Sequence, residues 1–248
     1  MDNIWYVLAL AALPALGNLG GGLLAEVMSV PKTRLSNALH AAAGIVIAVV
    51  AVELMPEVLS KVSGWLVGVA FGLGTLAYLV IEAAISRSLG SGNDDGDESS
   101  HLGMWMIYMA VSIDLFSDGM LIGTGSTVSS TLAVVLALGQ LLADVPEGFA
   151  TIANMKAKGV ARSRRFLLSL SFSIPVLGSA VLAYYLLRGQ SELWQMGALA
   201  FVAGILTIAA VEEMLSEAHD TVEDTRRSIL AFAGGFILFT FVSAGVGS

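Results

Sequence analysis

The chain has 248 residues, of which 56% are hydrophobic and only 13% charged, with a mean hydropathy of +0.82. A soluble domain carries about 25% charged residues, so the composition excludes a soluble globular protein and points to an integral membrane protein. The absence of cysteine leaves no disulfide framework and no thiolate metal site, and the net charge of -8 says little about nucleic acid, which is not an expected partner, because the acids lie in apolar stretches or in one loop.

A membrane span needs about 20 apolar residues. On that measure the sequence predicts an all-α integral membrane protein of eight transmembrane helices, at about 4–27, 34–59, 62–86, 102–125, 128–156, 164–188, 194–219 and 226–246. The whole chain, 1–248, forms one transmembrane domain. The first apolar stretch has no basic segment before it and is expected to be a first span, not a cleaved signal. Gly17, Gly20, Gly21 and Gly22 crowd that first helix, and Gly68, Gly72 and Gly74 the third. Small residues let helices pack closely in lipid, and such faces also leave a homodimer open. Pro14, Pro146 and Pro175 fall inside predicted helices. Each removes a backbone donor and frees the carbonyl four residues earlier, which for Pro146 is that of Leu142.

Residues 87–101 are small, polar and acidic, and are expected to form a flexible loop. Basic residues set orientation. Lys32, Arg34, Arg87, Lys156, Lys158, Arg162, Arg164, Arg165, Arg226 and Arg227 share the side of that loop, against Lys61 and Arg188 on the other. The loop is therefore expected in the cytoplasm, with both termini outside and the chain in a cell (inner, plasma) membrane.

The fourth and fifth predicted helices carry carboxylates where lipid disfavours them. Asp114 and Asp118 are four residues apart, and Asp144 and Glu147 three apart, so each pair occupies one helix face. A charge near the bilayer centre costs about 2.5–3.5 kcal/mol on insertion scales. A short turn makes the two helices antiparallel neighbours, and an oxygen-rich cage for a cation becomes available. Protonated carboxyls locking helices together, or a proton relay, are the alternatives from these residues alone. Asn18, Ser112, Ser117, Thr124 and Gln140 offer weaker polar contacts. Gly119 and Gly148 each follow an acid, where a neighbouring helix or hydrated ion could approach. His40, Glu212, Glu213 and His219, with His101, fall toward the cytoplasmic end and form a candidate exit route. Glu53 and Glu57 fall toward the outside.

Helix 2 reads Leu39-His40-Ala41-Ala42-Ala43-Gly44-Ile45-Val46 and then Ala51-Val52-Glu53-Leu54-Met55-Pro56-Glu57. Helix 7 reads Val211-Glu212-Glu213-Met214-Leu215-Ser216-Glu217. Helices 4 and 5 carry Asp114-Leu115-Phe116-Ser117-Asp118-Gly119 and Ala143-Asp144-Val145-Pro146-Glu147-Gly148. Together with the span number and the central hydrophilic loop, this resembles the ZIP family of divalent metal transporters over nearly the whole chain. The family usually has His-Asn-x-Pro-Glu-Gly in helix 4 and His/Gln-Glu/Asp-x-Pro-Glu-Gly in helix 5. Here Asp114 stands for the His, Leu115 for the Asn, Ser117 for the Pro, Asp118 for the Glu and Ala143 for the second His or Gln. Val46 stands where some relatives have methionine, and Ile174-Pro175 where many have a metal-binding Glu-Pro pair.

The resemblance implies a ZIP-like bundle moving divalent cations toward the cytoplasm through a single carboxylate site of Asp114, Asp118, Asp144 and Glu147. No catalytic residue or bound cofactor is implied; the metal ion is the cargo. Carboxylates suit manganese and magnesium better than imidazole does, whereas imidazole favours zinc, copper, iron and nickel. The expected cargo is Mn(II) or Fe(II), or a broad set that includes Zn(II) and Cd(II). A non-transporting metal sensor or a proton-linked carrier on the same fold is the alternative. An intramembrane aspartyl protease is disfavoured, because no Gly-x-Gly-Asp pattern is present.

Overall fold

The computed structural model describes residues 3–28, 31–89, 96–215 and 226–247. Eight helices are long and apolar enough to cross a membrane, the character of a multi-pass membrane protein. They are α1 (Ile4–Val27), α2 (Lys32–Lys61), α3 (Gly64–Leu89), α4 (Gly96–Val128), α5 (Ser130–Ala157), α6 (Arg162–Leu187), α7 (Glu192–Ala209) and α8 (Arg226–Gly247). Among the described residues there is no strand. Of the expected loop at 87–101, residues 90–95 lie outside the described residues, and the flanks are helical. Helix continues to Leu89 and resumes at Gly96, because Ser, Asp and Glu next to an apolar run are compatible with a helix terminus.

Local chemistry sets the ends. Ser129 Oγ accepts from the Leu132 N–H at 3.1 Å and starts α5. Gly159 and Gly189 take φ of 76° and 73° and turn the chain after α5 and α6. Two helices are locally unwound. In α2 a π-helical stretch, Val49–Leu54, ends where the Met55 N–H reaches the Val50 carbonyl, one residue before Pro56, which has no donor. A second π-helical stretch, Ala210–Leu215, extends α7. Pro14 and Pro146 lie inside continuous helices. Pro175 instead follows a break in α6 at Phe172, so it ends one segment and starts another.

Tertiary packing pairs parallel helices through glycine. On α1, an added Cβ at Gly17 or Gly21 would meet the Leu141 or Val145 carbonyl of α5. Gly119 and Gly123 of α4 meet the Val176 and Ala180 carbonyls of α6 in the same way. Gly44 of α2 meets Phe232 of α8, and Gly74 of α3 meets Phe201 of α7. In each pair residue numbers rise together, as where Tyr6 approaches Ser130 and Lys156 approaches Ala25. Parallel pairs of odd with odd and even with even helices are what up-and-down traversal requires. The glycines thus serve backbone approach, with exceptions: Gly20, Gly68 and Gly72 meet nothing within 4 Å.

The alternation gathers the ten basic residues named above at one end, called here the basic end. Ion pairs agree with it. Arg165 at the start of α6 binds Glu26 at the end of α1 at 2.6 Å. Lys61 at the end of α2 lies 2.7 Å from Glu57 and 3.6 Å from Glu192 at the start of α7.

Candidate metal centre

α4 and α5 run antiparallel, and the register brings Asp114 beside Glu147 and Asp118 beside Asp144. Asp114, Asp144 and Glu147 each direct a carboxylate oxygen to one locus, all within 4.8 Å of one another. All three are buried, Asp144 completely. Carboxylates this close need a cation or a shared proton between them. Neither oxygen of Asp144 has a hydrogen-bond partner among the described residues. Buried polar groups are normally satisfied, and orphaned ones point to an ion or a water. The donor set is all oxygen, which fits a hard or borderline divalent cation.

Asp118 is the member of the expected four that stands apart. Its Oδ1 accepts from Gln140 Nε2, a residue one turn before Asp144 on α5. Its Oδ2 is buried and without a partner. Asp118 is therefore held by an amide on one oxygen and lies against Asp144 with the other, at the edge of the three-carboxylate group. Asn18 on α1 is also buried, with both amide atoms unpartnered. It packs its backbone against Gly148, and Gly17 packs against Asp144. So α1 forms a third wall, a contribution that spacing within α4 and α5 could not show.

The other weak candidates resolve locally. Ser112, Ser117 and Thr124 donate to carbonyls of Tyr108, Ile113 and Met120 within their own helix. Gly119 and Gly148 admit neighbouring helix backbones. Leu115 is buried in an apolar cluster with Phe172 and Val176 of α6. Ala143 and Val46 belong to the largest apolar cluster. Ile174 is 71% exposed and faces away from the bundle centre, so that position does not line the acidic locus.

A cavity of about 190 Å³ reaches the locus at Glu147. Thr151 and Asn154 carry it along successive turns of α5 toward the basic end, with Leu39, Val111 and Met214 opposite. Beyond the acids in the other direction, Leu121, Leu136 and Phe239 are fully buried together in the largest apolar cluster. His40 and Glu212 do not line this cavity. His40 Nδ1 contacts the Ser36 carbonyl at 2.8 Å within its own helix. Glu212 is exposed and lines a different cavity with Glu82. The side chain of Glu213 and all of His219 lie outside the described residues, as does the side chain of His101. At the far end, Ser243 donates to Glu53 and Lys61 pairs with Glu57.

Comparison with protein-family models and with curated proteins gives no match.

Proposed function

We propose that the protein transports divalent metal cations across a membrane, with Asp114, Asp144 and Glu147 as the ligands of one mid-membrane site. The observation that carries this reading is the convergence of three buried carboxylates from two antiparallel helices, with both Asp144 oxygens lacking a donor. Asp118 and Asn18 border the site, and Gln140 fixes Asp118.

The path to the basic end gives the site an exit. The cavity at Glu147, about 190 Å³, has room for several waters beside the carboxylates. Basic residues favour the cytoplasm, so the metal leaves on that side and both termini lie outside. The packed cluster of Leu121, Leu136 and Phe239 closes the opposite side in this conformation. Transport then requires the bundle to open there while Thr151 and Asn154 close. The family resemblance in helices 2, 4, 5 and 7 supports a ZIP-like mechanism.

Liposomes loaded with a metal-sensitive dye test the reading. Mn(II), Fe(II), Zn(II) and Cd(II) are applied to wild type, Asp144→Ala and Glu147→Ala. The expected result is influx in wild type and at most background influx in both variants. Equal rates in all three would remove the site from the mechanism. Metal binding without influx would favour a sensor, and proton flux without metal a proton-linked carrier.

A further inference from the structure

At the basic end, α1, α5 and α6 enclose a second cavity, of about 340 Å³, that the metal site does not use. Its floor is apolar, formed by Leu19, Leu23, Ile152 and Phe166. Leu23 and Phe166 are about half exposed on the outside of the bundle, so this floor is continuous with the surface that meets acyl chains. Its mouth carries Arg162, Ser163 and Arg165.

The charges at this mouth are unevenly committed. Arg165 is spent on structure: Nε and Nη2 hold Glu26 at 2.6 and 2.9 Å, and Nη1 donates to the Val160 carbonyl. Arg162 is mostly exposed and touches Glu26 only at 3.5 Å. Lys156 donates to the Ala25 carbonyl nearby at 3.5 Å. Among the described residues, three cations therefore surround the carboxylate of Glu26, leaving an excess of positive charge there. Ala161 supplies no side-chain cap to the start of α6, so the first N–H groups of that helix add to the positive end. Independently of the helix end, Ser169 lines the cavity, is 5% exposed, and its hydroxyl has no hydrogen-bond partner. A buried hydroxyl without a partner, facing a cationic cleft, calls for an acceptor.

We propose that this cleft binds the phosphate headgroup of an anionic phospholipid from the membrane leaflet at the basic end. Arg162 and Ser163 meet the phosphate, Ser169, about 9 Å further along α6, donates to an acyl-ester carbonyl below it, and one acyl chain lies along Leu23 and Phe166. Basic pockets between helices on the cytoplasmic side are the expected form of such a site. Because the cleft joins α1, which walls the metal site, to α6, an occupied cleft clamps the α1–α6 contact at Glu26–Arg165.

Purified, delipidated full-length protein in detergent tests this by native mass spectrometry. It is titrated with phosphatidylglycerol and with phosphatidylcholine of the same chains. The expected result is retention of phosphatidylglycerol over phosphatidylcholine by about fivefold or more, the effect of one nearby cationic group. Arg162→Gln and Ser169→Ala each lower phosphatidylglycerol retention by about fivefold. Arg164→Gln, the same charge change on an exposed neighbour outside the cavity lining, leaves it unchanged. Millimolar inorganic phosphate leaves the lipid in place. Equal retention of the two lipids overturns the proposal, and so does an Arg164→Gln loss as large as that of Arg162→Gln. Displacement of the lipid by inorganic phosphate would assign the cleft to a soluble phosphate instead and overturn the lipid source.

Discussion

Gly20 and Gly21 are neighbours on α1 with opposite surroundings. A Cβ at Gly20 meets nothing within 4 Å, whereas one at Gly21 overlaps the Val145 carbonyl and comes to 2.9 Å from the Phe149 nitrogen. These are backbone atoms of α5, so no rotamer change relieves the contact; the helices must separate. Alanine in a helix interior is worth up to about 1 kcal/mol over glycine, and both variants gain that term. Only Gly21→Ala suffers the overpacking, which costs about 1–3 kcal/mol. The difference between the two variants is therefore about 1–3 kcal/mol. At about 2–4 °C per kcal/mol for a chain of this size, Gly21→Ala should melt roughly 2–12 °C below Gly20→Ala. Thermal unfolding of the detergent-solubilised variants, followed by the monodisperse fraction remaining after heating, reads this directly. Separation of α1 from α5 also moves Asn18 and Gly17 off Gly148 and Asp144, so metal affinity falls with stability in Gly21→Ala alone. Indistinguishable melting of the two variants would refute the close parallel packing on which the third wall of the metal site depends.

Further outcomes follow from the same structure. Arg165→Met leaves Glu26 with only the more distant Arg162 and Lys156 and should cost about 3 kcal/mol in unfolding, whereas Lys61→Met, at the partly exposed pair with Glu57, should cost at most about 1 kcal/mol. Metal uptake should decline on acidification, because protons compete for the same carboxylate oxygens; uptake that is flat from neutral to acidic pH in the dye-loaded liposomes would argue against an all-carboxylate site. Asp114→His should shift the competition between Zn(II) and Mn(II) toward zinc, since imidazole favours the softer ion, and an unchanged ratio in paired influx assays would count against Asp114 as a ligand. Ile174→Asn, on an outward face, should leave metal affinity unchanged in equilibrium titration.

Hydropathy made the eight helices legible, because a span needs a long apolar run whatever its neighbours. The faces of α4 and α5 were legible too, since spacings of three and four residues fix which acids share a face. Other features depend on which helices pack together, and periodicity within one helix carries none of that. The amide that Gln140 gives one oxygen of Asp118 depends on the α4–α5 interface. Asn18 becomes part of the wall only because Gly17, Gly21 and Gly148 bring α1 against α5. The expected exit through His40 and Glu212 rested on depth in the membrane. Depth does not specify azimuth, and the cavity at Glu147 opens beside Leu39 and Met214, the chain neighbours of His40 and Glu213. Ile174 is similar: the resemblance set it where relatives carry a metal-binding residue, but the break at Phe172 precedes a segment that turns it outward.

Anomalous diffraction from crystals soaked in Cd(II) or Mn(II) tests the metal site most directly. The predicted result is one peak between α4 and α5, about 2.0–2.6 Å from carboxylate oxygens of Asp114, Asp144 and Glu147, lost in Asp144→Asn. A dominant peak at Glu82 and Glu212, or no ordered peak between the two helices in metal-soaked wild-type crystals, would contradict it.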